Sequence, residues 1–188
     1  NISALSYGLT IGWSSPIAPL LQTAQTPVGK VPMSDEQIAW MNGALCLGAL
    51  CFLPICGFLT ERFGRKIAGC LIAVPSTACW LLISFATNFW CLLAARIFAG
   101  IAGSLALIVL PLYVSEISGD SVRGQNGSIL VFAVNIGIVV AYVLGATLPY
   151  QVFGLCAFAT PILFLFGFCF MPETPIYLMR KGRIDEAT

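Results

Sequence analysis

Histidine is missing from the 188 residues, and charge is scarce, at 9% against roughly 25% in an ordinary soluble domain. Without histidine the usual general base near neutral pH disappears, along with His-based zinc and haem sites and every nucleophile-histidine dyad. No catalytic residue, metal or cofactor is therefore expected, and an enzyme has no constellation to work with. Nine basic against eight acidic residues leave a net charge of +1, which gives no reason to expect a nucleic-acid partner. What is abundant is apolar: 59% of the residues are hydrophobic, which does not fit a water-soluble fold. The eight cysteines, at 46, 51, 56, 70, 79, 91, 156 and 169, lie in apolar runs without a CxxC or a paired spacing. They read as small hydrophobes.

The uncharged runs are long: 1–29, 37–60, 67–95, 97–115 and 124–172. A bilayer core about 30 Å thick needs ~20 apolar residues in a helix, so the last run holds two spans, broken at Leu148-Pro149-Tyr150-Gln151. The sequence thus predicts an all-α membrane protein with six spans, near 2–22, 37–60, 67–86, 90–115, 125–147 and 152–171. In that layout Arg62, Arg65, Lys66, Arg123, Arg180, Lys181 and Arg183 share one side, and only Lys30 falls in a loop opposite. The positive-inside rule makes the crowded side cytoplasmic and places both ends of the segment there. The longest outer loop becomes Thr23 to Glu36, and Trp40, Trp90 and Tyr150 fall at the outer boundary, where amphipathic rings are favoured. Asn1, not Met, stands at the edge of a hydrophobic run, so the natural start is expected upstream. A signal peptide fits poorly without a basic n-region. Asn1-Ile2-Ser3 and Asn126-Gly127-Ser128 come out cytoplasmic and are discounted as glycosylation acceptors.

Glycine and proline interrupt the leading helix of each three-helix set: Gly8, Gly12, Pro16 and Pro19 in the first, Gly100, Gly103 and Pro111 in the fourth. Broken helices at corresponding places point to a transporter built from repeated triplets. Close helix packing explains single glycines equally well, and no sequence repeat is evident between the triplets. Arg96 is the one full charge well inside a span, a functional candidate unless it snorkels to the outer headgroups. No Asp or Glu lies in a span except at cytoplasmic ends. A proton-coupled carrier needs an intramembrane carboxylate, so this chain leans toward facilitated diffusion.

The turn Gly57-Phe58-Leu59-Thr60-Glu61-Arg62-Phe63-Gly64-Arg65-Lys66, the stretch Pro111-Leu112-Tyr113-Val114-Ser115-Glu116-Ile117 with Arg123-Gly124, and Pro172-Glu173-Thr174-Pro175 bring three acids and at least three bases to one membrane face. Such charges can form a gate. From charge alone, incidental surface pairs worth about 0 to 1 kcal/mol each are the simpler reading.

The 57–66 turn resembles the loop signature of the major facilitator superfamily. Arg96, Gly100, Pro111-x-Tyr113-x-x-Glu116-Ile117, Arg123-Gly124 and Pro172-Glu173-Thr174-Pro175 resemble signatures of its sugar porter branch, in order across residues 12–186. Within that branch the chain looks most like insect facilitated trehalose and hexose transporters. The resemblance implies a twelve-helix carrier of which residues 1–171 form the N-terminal six-helix bundle. Residues 172–188 would open the intracellular linker to a C-terminal half that is absent. It also implies alternating access in the plasma membrane, with the charged turns locking the outward-facing state. Carried over by position, Gly57 allows close approach of a helix from the missing half, and Glu61 sits against that helix's N-terminus. Arg65 then pairs near Glu116, and Arg123 near Glu173. Three positions depart from the pattern: Glu61 stands where Asp or Asn is commoner, Gly119-Asp120 where Pro is usual, and Ile176 where Arg usually follows.

For the sugar, the resemblance points to the fifth helix. Hexose facilitators present a glutamine there and this chain has Val131, while Asn135 lies one turn later on the same face. An amide in lipid is costly, so Asn135 should face the cavity or another helix. Ser14 and Ser15 stand where proton-coupled relatives carry Asp, which agrees with the missing carboxylate, and Trp13 reads as packing. The expectation is a facilitative sugar transporter for trehalose or a hexose. The alternatives are a sugar sensor on the same scaffold and a proton-coupled symporter.

Overall fold

The computed structural model describes residues 2–29, 31–118, 123–171, 173, 174, 177 and 179, without the Arg123 side chain. Among them lie seven helical segments: α1 (Ile2–Gly12), α2 (Ser14–Leu21), α3 (Asp35–Phe63), α4 (Arg65–Ser84), α5 (Phe89–Ile117), α6 (Arg123–Thr147) and α7 (Tyr150–Cys169). The helices α3 to α7 are each long and apolar enough to cross a membrane. The segments α1 and α2 are one span with a flaw. Trp13 keeps a right-handed helical backbone and its N–H still reaches the Leu9 carbonyl at 2.9 Å. Pro16 and Pro19 have no N–H, so the carbonyls of Gly12 and Ser15 lose their ladder donors. The architecture is the six-span all-α bundle that the charge pattern predicts.

Several boundaries move for local reasons. Helix α3 begins at Asp35, two residues early, because Ser34 and Gln37 form a capping box: the Ser34 side chain accepts from Gln37 N at 3.3 Å and Gln37 Oε1 accepts from Ser34 N at 3.0 Å. Asp35 and Glu36 therefore belong to the first turn of α3, where acids are favoured, and not to the preceding loop. Asn88 caps α5 by accepting from Cys91 N at 3.0 Å. Gly64 separates α3 from α4 with φ +91°, a conformation that disfavours residues with a Cβ. At 29 residues each, α3 and α5 extend about 43 Å and project beyond the hydrocarbon core.

Between lipid-solvated helices there is no strong hydrophobic drive, so association rests on close van der Waals contact. The principal packed pairs are α3 with α5, α4 with α5, α1 with α6 and α4 with α7. Two of these are glycine crossings. Gly8 of α1 lies against the Val134 carbonyl and Gly137 of α6, and Gly48 of α3 lies against the Ile97 backbone, beside Gly100 of α5 against the Leu45 carbonyl. Swapping the first triplet for the second turns α1·α6 into α5·α3, so the repeat unseen in the sequence exists in the packing. The fourth span, expected to be interrupted, is a continuous helix; Gly100 and Gly103 serve contact, Gly103 facing the Tyr7 ring.

The apolar interior forms two clusters. One, nearer the loop between α2 and α3, contains Trp13, Met41, Trp80, Leu92 and Phe153. The other, nearer the Gly64 turn, contains Cys56, Val109, Tyr113, Phe164 and Phe168. Trp40 and Trp90 are exposed as boundary residues should be. Tyr150 is not: it is buried and donates its hydroxyl to the Ile83 carbonyl at 2.8 Å. All eight cysteines are free.

Candidate functional site

The Gly64 turn brings three separated pieces of sequence together, around Arg65, Glu116 and Glu173. Arg65 opens α4, and Glu116 lies in the last turn of α5, against which α4 packs. Arg65 donates through Nε (3.1 Å) and Nη2 (2.7 Å) to a single oxygen, Glu116 Oε1. The side chains are only 5% and 7% exposed, so this is not the incidental surface pair that charge alone suggests. Glu173 closes the assembly from beyond α7: its Oε1 accepts from Lys66 N at 3.0 Å and from Thr174 N at 3.1 Å. The Lys66 amide is one of the unpaired donors at the start of α4, and a carboxylate there also meets the positive end of the helix dipole. Tyr177, one turn further, donates to the Arg62 carbonyl at 3.2 Å, and the Arg65 guanidinium lies over its ring at 5.8 Å.

Gly64 is doubly constrained here. Besides its positive φ, a Cβ would come within 2.7 Å of Glu173 Oε2 and 2.8 Å of the Tyr177 ring. The expected Arg65–Glu116 pairing is present in the structure; the expected Arg123–Glu173 pairing lies outside the described residues. Sequence reasoning missed Tyr177, whose only signal was an aromatic residue four positions after Glu173. Gly57 and Glu61, one turn apart on α3, are exposed, and a Cβ at Gly57 meets nothing within 4 Å. Pro111 is exposed on α5, which it leaves continuous.

Arg96 does not snorkel. It is 1% exposed, donates from Nη1 to the Thr10 carbonyl at 3.0 Å, and stacks over Trp13 at 4.4 Å from the ring centroid. A desolvated cation over tryptophan is worth about 2 kcal/mol. The residue thus clamps α5 to α1 beside the flaw in the first span, and Trp13, fully buried, is packing as expected. Nearby, where α1, α4, α5 and α7 meet, a small, mainly apolar cavity has Ser3, Ser6, Thr10 and Ser76 in its lining beside Ile72, Ala99 and Phe164; Thr160 donates to Ser6 Oγ at 2.9 Å. The spacing of Ser3, Ser6 and Thr10 at i, i+3 and i+7 is the helical signal that could have found them.

The three candidate sugar contacts do not form one cluster. Asn135 is exposed on α6, its Nδ2 donating to the Val131 carbonyl at 2.9 Å within its own helix. Ser14 Oγ bonds the Ile11 carbonyl at 3.2 Å and is half-buried, while Ser15 is exposed. Since Gly8 sits beside Val134 and Gly137, and Gly12 beside Ile138 and Ala141, Ser14 lies roughly 10 Å further along the bundle than Asn135.

A family profile described as "Sugar (and other) transporter" matches residues 2–188. Curated relatives include the "Solute carrier family 2, facilitated glucose transporter member 8" of Bos taurus, 37% identical over 187 residues, covering 99% of this chain and 38% of the relative. The "Facilitated trehalose transporter Tret1" of Polypedilum vanderplanki is 28% identical over 187 residues, covering 100% of this chain and 37% of the relative. The chain therefore spans well under half the length of these relatives. Among solved structures, a proton:xylose symporter of the major facilitator superfamily, XylE, aligns with TM-score 0.80 at 19% identity, over 98% of this chain and 46% of that one. An inward-open XylE from E. coli aligns at TM-score 0.78 with 19% identity, over 98% and 50%. At this identity the likeness is one of fold.

Proposed function

Because the chain belongs to the sugar transporter family of the major facilitator superfamily, we propose that the whole protein moves a sugar, trehalose or a hexose, down its gradient by alternating access across the plasma membrane. The fold is that of the N-terminal six-helix half of such a carrier. Residues beyond 171 would lead into a linker, and a second six-helix half would complete the path. The supporting observation is the buried Arg65–Glu116 pair held under the Glu173 carboxylate at one end of the bundle. A charge set assembled from three sequence segments can be made in one state and broken in another, which a surface pair cannot do with any energetic force. Arg62 and Arg123 are the further bases that the charge pattern assigns to the same end. Glu61 and Gly57 stand free on α3, ready for a helix of the second half. On the α1–α6 side, Asn135 hydrogen-bonds the sugar, with Ser14 and Ser15 at the far end of the same face; the roughly 10 Å between them suits a disaccharide.

Uniport rests on the absence of a carboxylate from the interior of every described span; Glu116 lies in the last turn of α5. The described spans therefore offer no carboxylate to take up a proton within the membrane. Uptake of labelled trehalose and glucose by the full-length protein in a transport-deficient cell tests the proposal. Saturable flux of either sugar that survives collapse of the proton gradient is expected. Flux abolished by that collapse overturns uniport, and sugar binding without flux overturns transport in favour of a sensor.

A further inference from the structure

Two contacts fix the register of α4 against α7. At the Gly64 end Lys66 N donates to Glu173 Oε1 at 3.0 Å, and at the other end Gly154 lies against Ser84 Oγ. Eighteen residues up α4 thus answer to nineteen back along the chain from Glu173, so the helices are antiparallel and slip by a single position between the two contacts. Cys70 stands four residues after Lys66 and Cys169 four before Glu173, which the register places opposite one another, one helical turn inside the Lys66–Glu173 contact. Their side chains are in hydrogen-bond contact. Beside them Phe168 lays its ring on Gly69, where a Cβ would collide with it. A disulfide demands Cα atoms under about 7 Å apart, and the missing side chain at Gly69 lets the two backbones approach.

Of the pair, Cys169 is exposed and Cys70 half-buried. Cys169 ends α7, and Cys70 lies six residues from Gly64, about 9 Å along α4. The sulfurs therefore sit near the membrane boundary, at the end where the charged turns gather, and a water-borne oxidant can reach them there. Cys56, by contrast, is buried against Ser104 Oγ at 3.4 Å, and Cys79 is buried as well. The charge pattern assigns this end to the cytoplasm, a reducing compartment in which thiols stay open and disulfides are transient.

We propose that Cys70 and Cys169 are a redox pair, closed to a disulfide by hydrogen peroxide, that staples α7 to α4 one turn from the Glu173 clasp. The more exposed thiol, Cys169, gives up its proton and attacks the peroxide; its sulfur becomes a sulfenic acid, and the departing hydroxide takes up that proton as water. The Cys70 thiol then displaces the hydroxyl of the sulfenic acid, which forms the S–S bond and releases a second water. Two thiols together lose two electrons, and one peroxide is reduced to two waters. In the closed form the segment that carries Glu173 is tied to α4, so the carboxylate leaves the Lys66 amide less readily and the gate stays shut. That effect on the gate rests on the transporter reading; formation of the disulfide does not.

The test is peptide mapping by mass spectrometry of the folded full-length protein in proteoliposomes, titrated with hydrogen peroxide, alongside sugar flux in the same vesicles. A peptide linking Cys70 to Cys169 should appear ahead of oxidation at the other cysteines, and dithiothreitol should remove it. Oxidation should slow wild-type flux several-fold, reversibly, while Cys70→Ser and Cys169→Ser should carry sugar at the unoxidised rate before and after peroxide. Absence of the linked peptide, or linkage of Cys169 to a different cysteine, overturns the pair. A linked peptide with unchanged flux overturns the staple as a control on the gate. Vesicles that carry no sugar in either state count against the transporter reading instead, and the linked peptide still decides the pair.

Discussion

Arg65→Met in the full-length carrier is the most direct test of the charge network. The wild-type pair is nearly dry, at 5% and 7% side-chain exposure, and both arginine bonds converge on Glu116 Oε1. The other oxygen, Oε2, is buried with no hydrogen-bond partner among the described residues. Removing the guanidinium leaves a carboxylate with neither oxygen satisfied in a site that water reaches poorly, which costs about 3–5 kcal/mol. An exposed pair would lose about 0.2–1 kcal/mol. Replacing both partners, Arg65→Met with Glu116→Leu, removes the stranded charge as well, so the double variant should be more stable than Arg65→Met alone. Unfolding free energies of wild type, both single variants and the double variant, measured by SDS titration of the detergent-solubilised protein, close the cycle. A coupling energy of about 2 kcal/mol or more, little changed by raising salt, is expected because screening acts weakly on buried pairs. Additive losses below about 1 kcal/mol that fade with salt would refute the buried-gate argument and return the pair to the category suggested by charge alone.

Four further outcomes are expected. Gly100→Ala should lower the yield of folded protein and its melting temperature, because a Cβ there meets the Leu45 carbonyl and comes within 2.7 Å of Ala49 N; Gly57→Leu should fold normally and slow uptake, since its side chain meets nothing within the bundle. Asn135→Ala should raise the KM for sugar several-fold without changing stability, because its only protein partner among the described residues is its own helix; an unchanged KM removes it from the site. Arg96→Lys should destabilise by about 1–3 kcal/mol, since lysine retains the charge but lacks the planar fork that reaches the Thr10 carbonyl while lying flat on Trp13; a melting curve superimposable on wild type would show the clamp to be idle.

The spans were legible because lipid imposes a one-dimensional rule: about twenty uncharged residues per crossing, whatever the neighbours do. Local capping was legible in principle, and Ser34-x-x-Gln37 is the signal that placing the start of α3 at residue 37 overlooked. Arg96 was recognised as exceptional but its direction was not, since snorkelling and burial have the same sequence signature and differ only in whether Trp13 and the Thr10 carbonyl lie beside it. The fourth span was expected to break at its glycines; instead they meet the backbone of α3 and the ring of Tyr7. Glycine permits both outcomes, and the neighbouring helix selects one.

Composition and charge spacing alone therefore determined the solvent, the number of crossings and the side on which charge gathers. These properties follow from transfer of each segment between water and hydrocarbon, which depends on the segment itself. The burial of the Arg65–Glu116 pair, the clasp of Glu173 and Tyr177 around Gly64 and the burial of Arg96 over Trp13 were decided by tertiary structure. Each depends on contacts between residues far apart in the chain, fixed by how closely small side chains let two helix backbones approach, and no local pattern encodes that distance.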